Sequence, residues 1–305
     1  MTKTFAQKLR EVKDKIKESS QNTYLRNIRR LRKVYGELPI PLDHKWIVTD
    51  KLYNYIVKQP LNVRRHLANS AFIALQVYDK TNARMKKLQQ KTMADFDKDR
   101  KKRNLTDKQK SKIPVGGFDR FKKVITQMKR ELTHVKQIDS LSDLSRFQDL
   151  LIISMYYEYP LRLDYATLKI GSDKTGNVIY KRKKKPQGWH IELRDFKTHK
   201  SEGDKKFKLN AQNQRLLNKF IPASLKLTKH GFLLSNKRGD KMTKQVLSKR
   251  LSKITSQRIG KSFSVQLLRI LFAMRNRDVI ESAKEVSDKL LHSQKQSLQY
   301  AKKDG

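Results

Sequence analysis

Residues 159–170 read YPLRLDYATLKI and mark the point where the chain changes from helical to strand-like patterning. Upstream, Ser140 and Asp143 form a helix-capping pattern, and apolar residues at helical spacing follow until Pro160 ends the predicted helix. Downstream, strand-like runs are broken by the turn sequences KTGN, KPQG and KSEGD, which predicts a small antiparallel sheet of three strands. The stretch therefore joins a helix to a sheet, and it presents one arginine, Arg162, near the junction.

Helical periodicity dominates the rest of the chain. Residues 1–80 contain four amphipathic segments, which predict a small helical bundle. Residues 81–113 are rich in charge and poor in apolar side chains, so they predict a charged linker or an exposed helix. Residues 114–305 combine the sheet with further helices, which we expect around 211–220, 243–257, 264–275 and 279–291. The predicted fold class is mainly α with a small antiparallel β-sheet (α+β), in two domains.

The chain is strongly basic. It has 71 Lys and Arg residues against 29 Asp and Glu residues, a formal net charge of +42. Such an excess repels itself unless a polyanion neutralises it, so we expect double-stranded DNA as the partner, bound largely through its phosphates. The exposed faces of the predicted bundle carry the candidate DNA-binding residues Arg26, Arg29, Arg30, Arg64 and Arg65. The run KRKKKP adds Lys181, Arg182 and Lys183, for which a phosphate contact, a nuclear-localisation role and a solvated loop all stay open.

Composition and motif spacing argue against several other classes of function. The absence of cysteine excludes disulfides, thiolate metal sites and cysteine nucleophiles. IGKS at 259–262 lacks the earlier glycine of a phosphate-binding loop, because Thr255 stands there. The histidines form no His-x-x-x-His pair and no carboxylate cluster suits magnesium, so we expect no metal and no cofactor. The first residues lack the apolar segment of a secretory signal, and no apolar run is long enough to cross a membrane, which predicts a soluble intracellular protein.

Five side chains remain that together suit metal-free phosphodiester chemistry. Arg162 follows the capped helix, Lys197 stands in DFKTHK just before a turn, and Arg269 lies in the predicted helix SVQLLRILFAM. His292 and Tyr300 follow in LLHSQKQSLQY. Each residue alone is more often structural, so the argument rests on their order and settings. Two guanidinium groups can neutralise the non-bridging oxygens of a phosphate, a lysine can protonate the leaving oxygen, and a tyrosine hydroxyl can be the nucleophile.

This order resembles that of the tyrosine recombinase and integrase family, in the variant seen in integrases of large eukaryotic DNA viruses and virophages. PLRLDYATLKI resembles the family's first arginine box, and FKTHKSEGDKKFKL resembles its hairpin-lysine segment. LLRILFAM resembles its second arginine helix, and LLHSQKQSLQYAK resembles its closing histidine–tyrosine segment. The resemblance covers nearly the whole chain. It implies a core-binding domain at 1–80 that clamps DNA, a catalytic domain at 114–305, and a homo-tetramer on paired DNA sites.

The resemblance also implies a role for each member of the constellation. Arg162 and Arg269 are expected to clamp the scissile phosphate, and Lys197 is expected to be the general acid. His292 is expected to donate a hydrogen bond in the transition state. Tyr300 is expected to be the nucleophile that forms a 3′-phosphotyrosyl link, through which DNA is cleaved and rejoined.

Gln266 stands where the family's second box carries a histidine, and it is the possible substitute for that group, although glutamine cannot accept a proton. Two alternatives to a site-specific recombinase therefore stay open. A type IB topoisomerase has a similar site that also lacks this histidine, and a non-catalytic basic DNA-binding or packaging protein would use its charge alone. The target DNA sequence, the choice between integration, excision and resolution, and the compartment where the protein meets DNA are left open.

Overall fold

A computed structural model describes residues 3–102 and 104–289, of which 284–289 are described by their backbone alone. The chain divides between Leu105 and Thr106 into two compact units, named here the first unit and the second unit. This division falls inside the charged segment 81–113 that the sequence places between the two domains.

The described part of the first unit is a helical bundle. Its central helix is α4, which buries Leu67, Ala71 and Leu75 among the residues packed by the other helices. The helix within the charged segment packs on α4 and buries Met85 and Leu88, so it belongs to the bundle and is not a free linker. The helices are α1 (Phe5–Val12), α2 (Glu18–Tyr35), α3 (Asp50–Val57), α4 (Leu61–Val77) and α5 (Ala83–Lys101), with a 3₁₀ turn at Lys45–Val48.

The second unit is built around α8. Every residue from Leu150 to Tyr156 is at most 2% exposed, which is the pattern of a helix surrounded on all sides. The hydroxyl of Ser140 accepts a hydrogen bond from the backbone N of Asp143 (3.1 Å), which confirms the predicted start of this helix. The helices are α6 (Asp107–Lys110), α7 (Arg120–Glu131), α8 (Leu141–Glu158), α9 (His199–Glu202), α10 (Ala211–Leu227), α11 (Lys244–Ile259), α12 (Val265–Arg275) and α13 (Arg277–Lys289), with 3₁₀ turns at Gly117–Asp119 and Asp164–Thr167. None of the helices in the described residues is long and apolar enough to cross a bilayer.

A four-stranded sheet packs into the same core. The strands are β1 (Lys169–Ile170), β2 (Val178–Arg182), β3 (Gly188–Leu193) and β4 (Lys205–Lys208), side by side in that order. β2, β3 and β4 are antiparallel, which confirms the predicted three-stranded meander. The prediction that the whole sheet is antiparallel is wrong, because β1 adds a short edge parallel to β2. The fold class, mainly α with a small sheet, is confirmed.

The central position of α8 makes a stability prediction. Leu151 is 0% exposed, so Leu151→Ala should lower the free energy of unfolding of the second unit by about 2–5 kcal/mol. Leu225→Ala removes a side chain that is 49% exposed and should change the same quantity by less than about 0.5 kcal/mol. Urea unfolding followed by Trp189 fluorescence, with Trp46→Phe in every variant, measures both effects. Equal losses in the two variants would contradict the position assigned to α8.

Candidate active site and nucleic-acid interface

Two buried tyrosines hold the backbone around Arg162 against the end of α8. The hydroxyl of Tyr156 donates to the carbonyl oxygen of Arg162 (2.8 Å). The hydroxyl of Tyr165 lies within hydrogen-bonding distance of the carbonyl oxygens of Met155 (3.1 Å) and Tyr159 (2.6 Å). Burial raises the pKa of both phenols, so both keep the protons that these bonds need.

Arg269 reaches the same stretch of backbone from α12. Its Nη1 donates to the carbonyl oxygen of Pro160 (2.8 Å), two residues before Arg162. Burial lowers the pKa of Arg269, and repulsion from the positive charge of Arg162 lowers it further. Neither has a carboxylate ion-pair partner among the described residues; the ion-paired arginines of the second unit are others, including Arg250 and Arg258. An anion between the two groups would relieve this repulsion.

One carboxylate, Asp164, lies within the field of these cations. Burial raises the pKa of Asp164, which is 7% exposed, and the positive charges of Lys244, Arg162 and Arg269 act against that shift. The negative charge of Asp195 raises the pKa further. Three positive charges therefore act on Asp164 against the one negative charge of Asp195.

The turn that carries Lys197 begins beside this region. Lys197 is exposed and lies between β3 and α9. The buried side chain of Asn177 bonds both to Thr167 and to Asp195, two residues before the lysine. The structure thus ties Arg269 to the backbone two residues before Arg162 and anchors the Lys197 turn to the same segment of chain.

The remaining predicted site residues fall in two groups. Gln266 is exposed on α12 three residues before Arg269, and residues at this spacing share one face of a helix. His292 and Tyr300 lie outside the described residues, so their predicted roles stay predictions.

Of the predicted DNA-binding arginines of the first unit, Arg30 and Arg64 are bonded to neutral groups. Arg26 and Arg29 are exposed on α2. Arg30 donates to the Tyr55 hydroxyl (3.0 Å) and to Oε1 of Gln59 (3.2 Å). Arg64 Nε donates to the carbonyl oxygen of Gln59 (3.2 Å). Because these partners carry no negative charge, the arginines keep their full charge for an external anion.

Arg65 lines a polar cavity of the first unit. Its guanidinium carbon lies 3.9 Å from the ring centre of Phe96, and its Nη2 donates to Nε2 of His66 (3.1 Å). This bond needs a neutral His66, and burial together with the Arg65 charge lowers the pKa of His66 accordingly. Nε of Arg65 is buried with no hydrogen-bond partner in the described part of the chain. The cavity measures about 270 Å³ and is lined by Ser20, Thr23, Tyr24, Arg65, His66, Asn69 and Met93.

Two basic surfaces lie on the second unit. Lys181, Arg182 and Lys183 are exposed at the end of β2, where Lys181 Nζ donates to Oδ1 of Asn218 (3.0 Å) and Arg182 Nη2 donates to the carbonyl oxygen of Lys185 (3.3 Å). A cleft of about 500 Å³ between α8, α11 and the turn at 236–240 is lined by five cations. These are Lys237, Arg238, Lys249, Arg250 and Lys253, of which Arg250 pairs with Asp149.

Sequence reasoning did not single out Asp164, Asn177 or Lys244. Asp164 lies in PLRLDYATLKI, the stretch that resembles the family's first arginine box. Its position as a polar residue between apolar neighbours was the sequence signal for a buried carboxyl group. Lys244 and Asn177 reach the region only through the packing of α11 and β2, so their positions in the sequence carried no signal.

Comparison with known proteins adds the fold. No protein-family model and no curated protein sequence matches this chain. Among solved structures, the site-specific recombinase XerH, bound to its difH substrate in a pre-cleavage complex, aligns over 94% of this chain and 76% of its own, with 14% identity and a TM-score of 0.50. This chain has the tyrosine recombinase fold. XerA recombinase aligns over 98% of this chain and 93% of its own, with 13% identity and a TM-score of 0.38.

The shifted carboxyl of Asp164 predicts a pH dependence of stability. Because its pKa is raised on folding, its contribution is fully present below the ordinary value of 3.8 and is lost as pH rises through the raised value. Relative to Asp164→Asn, the protein with Asp164 should therefore lose stability as pH rises through that window. Urea midpoints of both proteins over a pH series measure the difference, and a difference that stays constant with pH would contradict the shift.

The unpaired arginines predict a salt dependence of DNA binding. Removing one phosphate contact by Arg65→Ala should make the slope of log K against log salt shallower by about 0.9. Arg84→Ala is the matched control, because Arg84 already pairs with Asp50 and stacks 3.8 Å from the ring centre of Tyr53. Titration of a fluorescent duplex at several salt concentrations gives both slopes. Equal slopes for Arg65→Ala and the unaltered protein would remove Arg65 from the DNA interface.

Proposed function

We propose that the protein is a site-specific DNA recombinase that cleaves and rejoins DNA strands through a 3′-phosphotyrosyl intermediate. The observation that supports this proposal is the hydrogen bond from Arg269 to the backbone two residues before Arg162, in a tyrosine recombinase fold. The Arg269 guanidinium bonds to Pro160, and the Arg162 charge acts on it. Two guanidinium groups at one short stretch of backbone, with no carboxylate ion-pair partner among the described residues, suit a phosphate that gains charge in its transition state.

In the proposed cleavage step, the Tyr300 phenol oxygen attacks the scissile phosphorus and the bond from phosphorus to the 5′ oxygen breaks. The Tyr300 proton passes to water or to a neighbouring base. Lys197 gives a proton to the 5′ oxygen, which leaves as a free hydroxyl, and the lysine becomes a neutral amine. Arg162 and Arg269 neutralise the non-bridging oxygens, and His292 donates a further hydrogen bond to them.

Rejoining reverses this step with a different strand. The 5′ hydroxyl of a partner strand attacks the phosphorus and its proton returns to Lys197. The bond from phosphorus to the Tyr300 oxygen breaks, and that oxygen takes its proton back from water or the neighbouring base. The phosphotyrosyl ester conserves the energy of the broken phosphodiester, so the exchange proceeds without a nucleotide cofactor.

The proposed partner is double-stranded DNA, with the first unit as a clamp and a homo-tetramer assembled on paired sites. Arginines of α2 and α4 that are bonded to neutral partners support DNA binding by the first unit. We also propose that the protein acts inside a cell at DNA, in the integration of a viral genome. DNA protected from nuclease by the bound protein would identify the target sequence.

The proposal is tested by trapping the covalent intermediate. Incubation with a nicked suicide duplex, followed by denaturation, should give a protein–DNA adduct that is absent in Tyr300→Phe. Arg162→Ala and Arg269→Ala should each slow adduct formation by roughly 100-fold or more while keeping most of the DNA affinity, because many other cations supply that affinity. Arg258→Ala removes a cation of the same unit that pairs with Glu131 (2.6 Å) and should leave cleavage unchanged.

The outcomes separate the alternatives. Relaxation of a single supercoiled plasmid at random sites, without exchange between paired sites, would replace the recombinase with a type IB topoisomerase. Salt-sensitive binding with no adduct would replace it with a non-catalytic DNA-binding or packaging protein. If Arg162→Ala lost DNA affinity as completely as cleavage, the role of Arg162 in the transition state would be rejected.

A further inference from the structure

Asn177, one residue before β2, is a buried amide with all its bonding capacity used. It is 1% exposed. Its Nδ2 donates to Oγ1 of Thr167 (2.8 Å) and to the carbonyl oxygen of Asp195 (2.8 Å). Its Oδ1 accepts from the backbone N of Arg194 (2.9 Å) and of Asp195 (2.8 Å). An amide offers two donor hydrogens and two acceptor lone pairs, and here every one is engaged.

These bonds join two segments that are far apart in sequence. Thr167 closes the 3₁₀ turn that follows Arg162, and its Oγ1 donates to the carbonyl oxygen of Asp164 (2.8 Å). Asp195 opens the turn in which Lys197 is the third residue. The amide of Asn177 is therefore a direct hydrogen-bonded link between the arginine segment and the lysine turn.

Phe196 of this turn packs against the core, but the ion pairs of the turn are more exposed to water. His199 pairs with Asp204 (2.8 Å) and Lys205 with Glu202 (3.2 Å), but the side chains in both pairs are 37–53% exposed, and exposed ion pairs contribute little. Arg194 is held more firmly by Glu192 (2.6 Å), and that pair constrains the start of the turn along β3. It does not connect the turn to the segment of Arg162, whereas Asn177 does.

We propose that Asn177 is a positioning residue that holds the Lys197 turn against the Arg162 segment, so that the lysine can reach the leaving 5′ oxygen. This inference rests on the proposed function. Proton transfer needs the ammonium within hydrogen-bonding distance of that oxygen, and Lys197 itself is on an exposed turn. This distance depends on the backbone at Asp195, which Asn177 holds at both its N–H and its carbonyl oxygen.

The chemistry of the leaving group gives a selective test. With the ordinary phosphate, the 5′ oxygen takes a proton from Lys197 as its bond to phosphorus breaks. When that bridging oxygen is replaced by sulfur, the bond from phosphorus to sulfur breaks and a thiolate leaves without a proton, because a thiol is far more acidic than an alcohol. A fault confined to proton delivery is therefore rescued by sulfur, whereas a fault in folding or phosphate binding is not.

The experiment compares adduct formation on two suicide duplexes that differ only in this bridging atom. Asn177→Ala should slow cleavage of the oxygen duplex by roughly 100-fold, the scale of a misplaced catalytic group, and should cleave the sulfur duplex at close to the unaltered rate. Lys197→Ala should show the same rescue. Arg162→Ala should be slow on both duplexes.

Two further variants keep the test decisive if Asn177→Ala folds poorly. Thr167→Val preserves the side-chain shape but removes the hydroxyl, and should give a smaller slowing with the same rescue by sulfur. Asn213→Ala is the matched control. Asn213 is 0% exposed in α10 and its Nδ2 bonds to Glu158 (2.5 Å), away from the Lys197 turn, so its substitution should leave the ratio of the two rates unchanged.

The inference is overturned if Asn177→Ala and Thr167→Val slow both duplexes equally, which would make the amide structural only, or if neither slows the oxygen duplex. A different result removes the proposed function itself: no adduct from the unaltered protein on either duplex. The behaviour of the unaltered protein therefore tells the two failures apart.

Discussion

The second unit ties Arg269 to the backbone two residues before Arg162, so one short stretch of chain positions two like charges that repel each other. Its core supplies the restraint. Tyr156, almost fully buried in α8, bonds to the backbone of Arg162, and Arg269 is tied to the backbone of Pro160. The bond from the Arg269 guanidinium to Pro160 has a charged donor, and such bonds contribute about 1.5–3 kcal/mol. A bound phosphate would convert this repulsion into attraction.

Arginines of the first unit also carry positive charge that no carboxylate within the described residues neutralises. The net charge of +42 destabilises the free protein through self-repulsion. The hydrogen bonds of several arginines leave their positive charge available to a partner. Arg30, Arg64 and Arg65 are oriented by a phenol, a carbonyl and an imidazole, which fix the side chains without neutralising them. By contrast, Arg84 forms an ion pair with Asp50, which neutralises its charge within the protein.

The sheet packs into the core and also brings two segments of the candidate site together. The meander of β2, β3 and β4 returns the chain so that the turn after β3 begins at Asp195, beside Asn177 at the entrance to β2. The short parallel edge of β1 continues directly from the 3₁₀ turn at Asp164–Thr167, which brings the segment of Arg162 to the same end of the sheet. Arginine and lysine segments that lie more than thirty residues apart in the sequence are thereby tied to a single amide.

The sequence by itself determined the elements whose cause is local. The cap at Ser140, the meander with its turn residues, the helices α8, α10, α11 and α12, and the order of Arg162, Lys197 and Arg269 could be predicted from spacing and residue type, whereas α7 was not predicted. Only the tertiary structure decided what depends on partners distant in sequence. The parallel strand β1 is too short to show a period, α5 is buried along a strip too narrow to outweigh its charge, and the bonds of Asn177 join residues ten and eighteen positions away. Packing brings such groups together, and a linear pattern records only neighbours within a few residues along the chain.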